Sequence, residues 1–253
     1  NDGISRINLF SEYTKFPQET SGFSGQVERI IRYQNHIYIS GSIGLFRLDR
    51  DIEGLELAND TMQSLKRFER SSFTQIEHEL LPKGGSAWGL KVVKVAGREL
   101  LIVSTNNDVL EINEQGEIRS IITTGPWCFH IDRTDPARLY LGLYQRGVGS
   151  MYFDGQDWIV EGRIGDLKVD VLNIDQDKDG SLWLGTVNGT CKLVKPVFKD
   201  HKIVNPEIIC YNHVHGLPKD DAIYNRFFKD KMIFGSGEGM FEFDAAKDTF
   251  TRI

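Results

Sequence analysis

Three stretches of the chain carry one arrangement of apolar and polar positions. In residues 36–49, 179–193 and 231–244 an apolar run ends on a small residue, a short polar turn follows, and a second apolar run leaves it. The small residue and a later glycine lie four positions apart each time: Ser40 and Gly44, Gly185 and Gly189, Gly235 and Gly239. Two weaker copies fill the middle. Ser104 ends the run 100–103 and leads through Asn106 and Asn107 to 109–112, without the glycines. Gly142 ends a run that resumes at 149–154 after three extra residues. The anchors at 40, 104, 142, 185 and 235 have a mean separation of about 49 residues, the span of a four-stranded propeller blade.

The remaining apolar runs complete each unit. Inner strands are expected over 27–33, 89–95, 129–132, 169–175 and 222–228, before each anchor pair. Outer strands are expected over 73–80, 118–123, 158–161, 208–211 and 249–253. Alternation such as Phe241, Glu242, Phe243 places one face of a strand in a buried layer. A lone four-stranded sheet cannot bury both faces, whereas radial stacking buries them and leaves only short protected edges. The expected fold is all-β: a β-propeller, or a fragment of one, with about five four-stranded blades in a single domain over residues 1–253. The wide gap between the first two anchors holds an insertion at 51–70, where Met62, Leu65 and Phe68 recur at helical spacing. A short helix and an extended hairpin both fit it. The run 7–13 resembles an outer strand. It belongs either to a blade of a larger, seven-bladed ring or to a ring of five or six blades that it clasps shut.

Composition narrows the functional classes. The 253 residues carry 30 basic and 36 acidic side chains, a net charge of −6, with no long basic block. Nucleic acid and anionic membrane are therefore not expected as partners. No apolar run is long enough to insert in a membrane as a helix. Aromatic content of 11% with 25 glycines against 7 prolines suits many short strands and tight turns. The chain starts at Asn1 without a methionine or a signal peptide, as expected of a trimmed or mature segment. Cys128, Cys191 and Cys210 are odd in number and widely spaced, which argues against a zinc site or a redox pair. Cys128 and Cys210, flanked by apolar residues, are expected to be buried as small hydrophobes.

The best copy also resembles a known repeat. Asp177, Asp179, Gly180, Leu182, Trp183, Gly185, Thr186, Gly189 and Leu193 are similar to the two-component regulator propeller repeat. Residues 211–218, ending in Gly216, Leu217 and Pro218, resemble that family's linker between blades. The resemblance implies a non-catalytic, ligand-sensing region in the periplasmic or extracytoplasmic part of an inner-membrane regulator, with a homodimer in the full-length protein. It also implies that Trp183 packs between blades. A protein-interaction scaffold is one alternative. The other is a propeller lyase or hydrolase acting on polysaccharide, with Asp220 and Asp221 at the pore.

Other constellations have plain structural readings. Residues 175–180 mimic the start of an EF-hand loop, but the twelfth position is Thr186 rather than Glu, and Asp179-Gly180 suits a hairpin turn. His213 and His215 would share a face on a strand, with no third ligand nearby to make a metal site. His36, His78, His130 and His201 stand alone and are expected to be half-buried or exposed. The glycine-rich 235–239 lies between strands, not before a helix, so it is expected to be a turn and not a phosphate cradle. No cofactor or metal is expected. Loops at one end of a propeller surround its channel, and here they carry Trp88, Trp127, Tyr144, Arg146 and Asn188. Aromatic faces with amide and guanidinium donors suit a small polar ligand, an oligosaccharide fragment foremost.

Overall fold

A computed structural model describes residues 22–23, 25–49 and 72–253. The strand expected at 7–13 and the insertion expected at 51–70 lie outside the described residues. The rest is a β-propeller arc of five antiparallel four-stranded sheets, each read off in chain order from its inner to its outer strand. Blade 1 contains β1 (Val27–Tyr33), β2 (His36–Gly41), β3 (Gly44–Leu48) and β4 (Phe73–Gln75). Blade 2 contains β5 (Ala87–Val95), β6 (Arg98–Thr105), β7 (Val109–Ile112) and β8 (Ile118–Ile122). Blade 3 contains β9 (Pro126–Ile131), β10 (Arg138–Leu143), β11 (Gly147–Phe153) and β12 (Trp158–Ile164). In blade 4, β13 (Val171–Gln176), β14 (Leu182–Thr186) and β15 (Gly189–Val194) are followed by a hairpin of β16 (Val197–Lys199) and β17 (Lys202–Val204). The outer strand β18 (Glu207–Tyr211) comes after it. Blade 5 contains β19 (Tyr224–Phe228), β20 (Lys231–Ser236), β21 (Gly239–Asp244) and β22 (Thr249–Arg252).

The inner strands pack in series, β1 on β5, β5 on β9, β9 on β13 and β13 on β19. Among the described residues no comparable contact returns β19 to β1, so the arc is open. Each junction buries its own apolar layer. Tyr38, Leu90 and Leu101 belong to one layer; Ile102, Phe129 and Leu141 to the next; Tyr140, Val171 and Leu184 to a third; and in the fourth Trp183 meets Phe234 and Phe250.

The anchors are small for a steric reason. A Cβ on Gly142 would lie 2.8 Å from the Val171 carbonyl oxygen of the next blade, and one on Gly185 would lie 2.2 Å from that of Ile223. The anchor is thus where a second strand meets the inner strand of its neighbour. At Gly235, in blade 5, the nearest atom is 3.8 Å away and belongs to the same sheet. The second glycines of the motif turn the chain with positive φ, at Gly44, Gly189 and Gly239.

Two expectations are corrected. Cys210 is exposed on β18 and not a buried hydrophobe. It stands directly opposite Cys191 on β15, with a Cα–Cα distance of 4.0 Å, and the two form a disulfide. Cys128 is a buried free thiol, as expected. His213 and His215 are not on a strand. They lie in a 3-10 turn (His213–His215) whose N-cap is Asn212 and which ends on left-handed Gly216. The His215 Nδ1 accepts the Asn212 N–H at 3.2 Å, closing a capping box. Residues 177–181 form a hairpin turn with Gly180 at positive φ.

Candidate binding face

The turns joining second to third strands all emerge at one end of the arc, beside the starts of the inner strands. This end is stapled from blade to blade. Ser86 Oγ donates to the Ser42 carbonyl at 2.9 Å. The Gln145 N–H reaches Asp170 Oδ1 at 2.6 Å, the Gly147 N–H reaches the Val169 carbonyl at 3.0 Å, and the Ile223 N–H reaches the Thr186 carbonyl at 3.0 Å. Within blade 5, Asp221 Oδ2 accepts the Gly237 N–H at 2.8 Å. These bonds satisfy turn donors that would otherwise face solvent alone, and they tie loops of neighbouring blades together.

Three of the residues singled out from the sequence converge on blade 3. Trp127, the second residue of β9, and Tyr144, in the β10–β11 turn, are stacked with centroids 5.8 Å apart and planes 8° from parallel. They remain 45% and 52% exposed, so the pair is an aromatic wall with ring surface open to solvent. Arg146 follows in the same turn and is exposed. Its carbonyl is held by Arg163 Nε at 3.1 Å, while Gln145 Nε2 donates to the Tyr144 hydroxyl at 3.2 Å. Trp88 belongs to blade 2, where its indole N–H donates to Asn106 Oδ1 at 2.6 Å. Asn188 belongs to the blade 4 turn, where its backbone N–H is held by Thr186 Oγ1 at 3.3 Å. The five therefore share one end of the arc on three consecutive blades, but Trp88 and Asn188 make no hydrogen bond to the Trp127–Tyr144 pair. Asp221 is occupied with its backbone turn. A cleft of about 670 Å³ opens at the opposite end, lined by Arg32, Tyr33, Gln34, Val92, Lys94 and Ile131.

A second group was not legible from the sequence. His130 was expected to stand alone, half-buried or exposed, yet it is buried, with Nδ1 4.0 Å from Asp175 Oδ1. Asp175 is itself buried and binds Arg133 Nη2 at 2.8 Å, the Phe227 N–H at 2.9 Å and, at 4.0 Å, Arg226 Nη1. Asn173 likewise receives the Asn225 N–H at 3.0 Å and donates to the Asn225 carbonyl at 2.6 Å. Side chains of β13 thus satisfy the open edge of β19. Burial pushes the His130 imidazole below its ordinary value, with Asp175 opposing. Burial works to raise the neighbouring Asp132. Hydrogen bonds from the Thr134 hydroxyl and N–H, the Tyr140 hydroxyl and the Asp135 N–H outweigh it, leaving the carboxyl below the usual range.

Comparison with known proteins places the fold. No family model matches the chain, and no curated protein does. Among solved structures, it is similar to the extracellular domain of the hybrid two component system BT3049 from B. thetaiotaomicron. The TM-score is 0.65 at 15% identity, over 94% of this chain and 31% of that one. It is also similar to virginiamycin B lyase from Staphylococcus aureus, with TM-score 0.60 and 12% identity over 98% of this chain and 76% of that one. An ancestral GH74 enzyme matches with TM-score 0.54 and 10% identity, over 92% of this chain and 31% of that one. The chain spans about a third of the length of the BT3049 extracellular domain. Propellers with sensory and enzymatic names share this fold, so the fold leaves function to the site.

Proposed function

We propose that this arc is the non-catalytic, ligand-sensing part of an extracytoplasmic region in a two-component-type transmembrane regulator. In this reading it binds a small polar ligand, an oligosaccharide fragment, at the stapled end of the arc. The observation that carries the reading is the solvent-open stack of Trp127 on Tyr144 with Arg146 in the same turn. Parallel rings offer their faces to the C–H side of a sugar, and the adjoining guanidinium donates to its hydroxyls. The disulfide between Cys191 and Cys210 supports an oxidising compartment, and the likeness to a two-component extracellular domain agrees with it. Ligand binding would be transmitted by a change in blade or dimer packing.

Calorimetric titration with a panel of neutral glycans tests the reading. Saturable binding without turnover is expected, weakened at least tenfold by Trp127→Ala and by Arg146→Ala. Binding that survives both substitutions moves the site elsewhere. Formation of a product from any glycan overturns the non-catalytic reading.

A further inference from the structure

Strand register reveals a row that the sequence hides. Each anchor pairs with a residue of the inner strand, and the residue two positions further along that strand occupies the same level in every blade. Lys91 pairs with Ile102, His130 with Tyr140, Asp175 with Trp183 and Arg226 with Ile233. In each case the partner lies two residues before its anchor. Ile31, opposite Tyr38, completes the row in blade 1. Inner strands line the axis of a propeller, so this row is an open ring at one depth of the channel that the arc partly encloses. Lys91 lies three residues beyond Trp88 on β5, roughly 10 Å deeper at the rise of an extended strand.

Lys91 is half-buried, and its electrostatic neighbours are Arg226, Arg29, Asp175 and Cys128, which belong to four other blades. Among the described residues no carboxylate lies within ion-pair distance of Lys91, and Asp175 is held by Arg133 at 2.8 Å. Burial, followed by repulsion from Arg226 and Arg29, presses the Lys91 ammonium below its ordinary value. Nε2 of His130, in the same ring, is buried without a hydrogen-bond partner. The row thus sets Lys91 and Arg226 at one level with Asp175, a carboxylate already engaged by Arg133, inside a chain whose net charge is −6. A buried cation without a counter-ion is costly, and a fixed anion removes that cost.

We propose that the channel is an anion site, in which a carboxylate, sulfate or phosphate group docks against Lys91 with Arg226 as the flanking cation. The site is independent of the aromatic wall, and free inorganic anions and the acidic group of a larger ligand share the chemistry it recognises. Calorimetry at low ionic strength with sodium sulfate, inorganic phosphate, galacturonate and neutral galactose tests it. Saturable one-to-one binding of at least one anion is expected, with none of galactose at this site. Lys91→Gln should weaken it at least tenfold and Arg226→Gln several-fold. Lys94→Gln, which removes an exposed charge from the same strand, should leave it unchanged. Saturation by sulfate or phosphate alone marks an inorganic anion; saturation by galacturonate marks an acidic ligand; either supports the site. Arg226 is largely exposed, so Arg226→Gln retains the fold and serves if Lys91→Gln does not. Trp127→Ala should leave sulfate or phosphate binding intact, so this proposal and the glycan reading fail separately. The proposal is overturned if no anion saturates, if Lys91→Gln and Arg226→Gln bind as the wild type does, or if Lys94→Gln loses as much.

Discussion

Single side chains decide how the blades adhere. Trp183 is 1% exposed and meets Phe234 at 4.8 Å, Phe243 at 5.3 Å and Tyr211 at 5.6 Å between ring centroids. Its packing role between blades is what the resemblance of residues 177–193 to the propeller repeat implies, and the structure places it there. Trp183→Ala should lower the unfolding free energy by ~3–5 kcal/mol, and an unchanged midpoint in denaturant would contradict that. His130 was not readable, since its burial depends on the register between two blades. Its folded pKa is depressed, so the unfolded chain binds the extra proton first. The stability it contributes is present above the unfolded value of ~6.5 and is lost as pH falls below it. Asp132, also depressed, adds a second loss below ~3.9. Melting temperature should therefore fall between pH 7 and pH 5 in the wild type. It should fall less in His130→Gln, with the Asp132 step below remaining. A flat wild-type profile over that interval would refute the assignment.

At the scale of elements, the inner, second and third strands were legible because each copy joins alternating apolar residues to a small anchor and a turn. Blade 4 was legible only in part. The hairpin of β16 and β17 was missed: its two three-residue strands are too short for periodicity to register. Its turn uses Asp200 and His201 at positive φ instead of glycine. Phe198 from this hairpin packs on Tyr140 and lies 4.0 Å from the Arg138 guanidinium, so the excursion folds back as a cover over the blade 3–4 junction. The disulfide is hidden from the sequence for a related reason. Cys191 and Cys210 are 19 positions apart, and that spacing says nothing about register across an intervening hairpin. Closing a loop of this length should contribute ~3 kcal/mol. Cys191→Ala combined with Cys210→Ser should lower stability by about that amount, and a reductant should destabilise the wild type but not the double variant. Equal sensitivity of both proteins to reductant would show that the bond is not formed in solution.

Among the described residues, the architecture follows from stacking one unit five times. Among the described residues there is no α-helix, only a 3-10 turn. Circular dichroism should show a strand-dominated spectrum, with helix well below the roughly one third usual in globular proteins; helix near that level would exclude the fold. The candidate site was half legible at this scale. Topology alone placed Trp88, Trp127, Tyr144, Arg146 and Asn188 at one end, but the stacking of Trp127 on Tyr144 depends on the length of a single turn. The ring containing Lys91 depends on the registers of five separate strand pairs, which no local pattern encodes.

With Cys191 and Cys210 joined, Cys128 is the chain's sole remaining thiol. It is sealed in the layer between blades 3 and 4, its Sγ 3.7 Å from the Val171 carbonyl oxygen, and burial pushes it up to about 12. A maleimide or aromatic disulfide reagent can reach that sulfur only when the two blades part. The rate of labelling at neutral pH is therefore a built-in clock for breathing of the arc, needing no engineered probe. Any ligand that signals by changing how these blades meet should speed or slow that clock, and any ligand that merely sits on the loops should leave it running at the same pace.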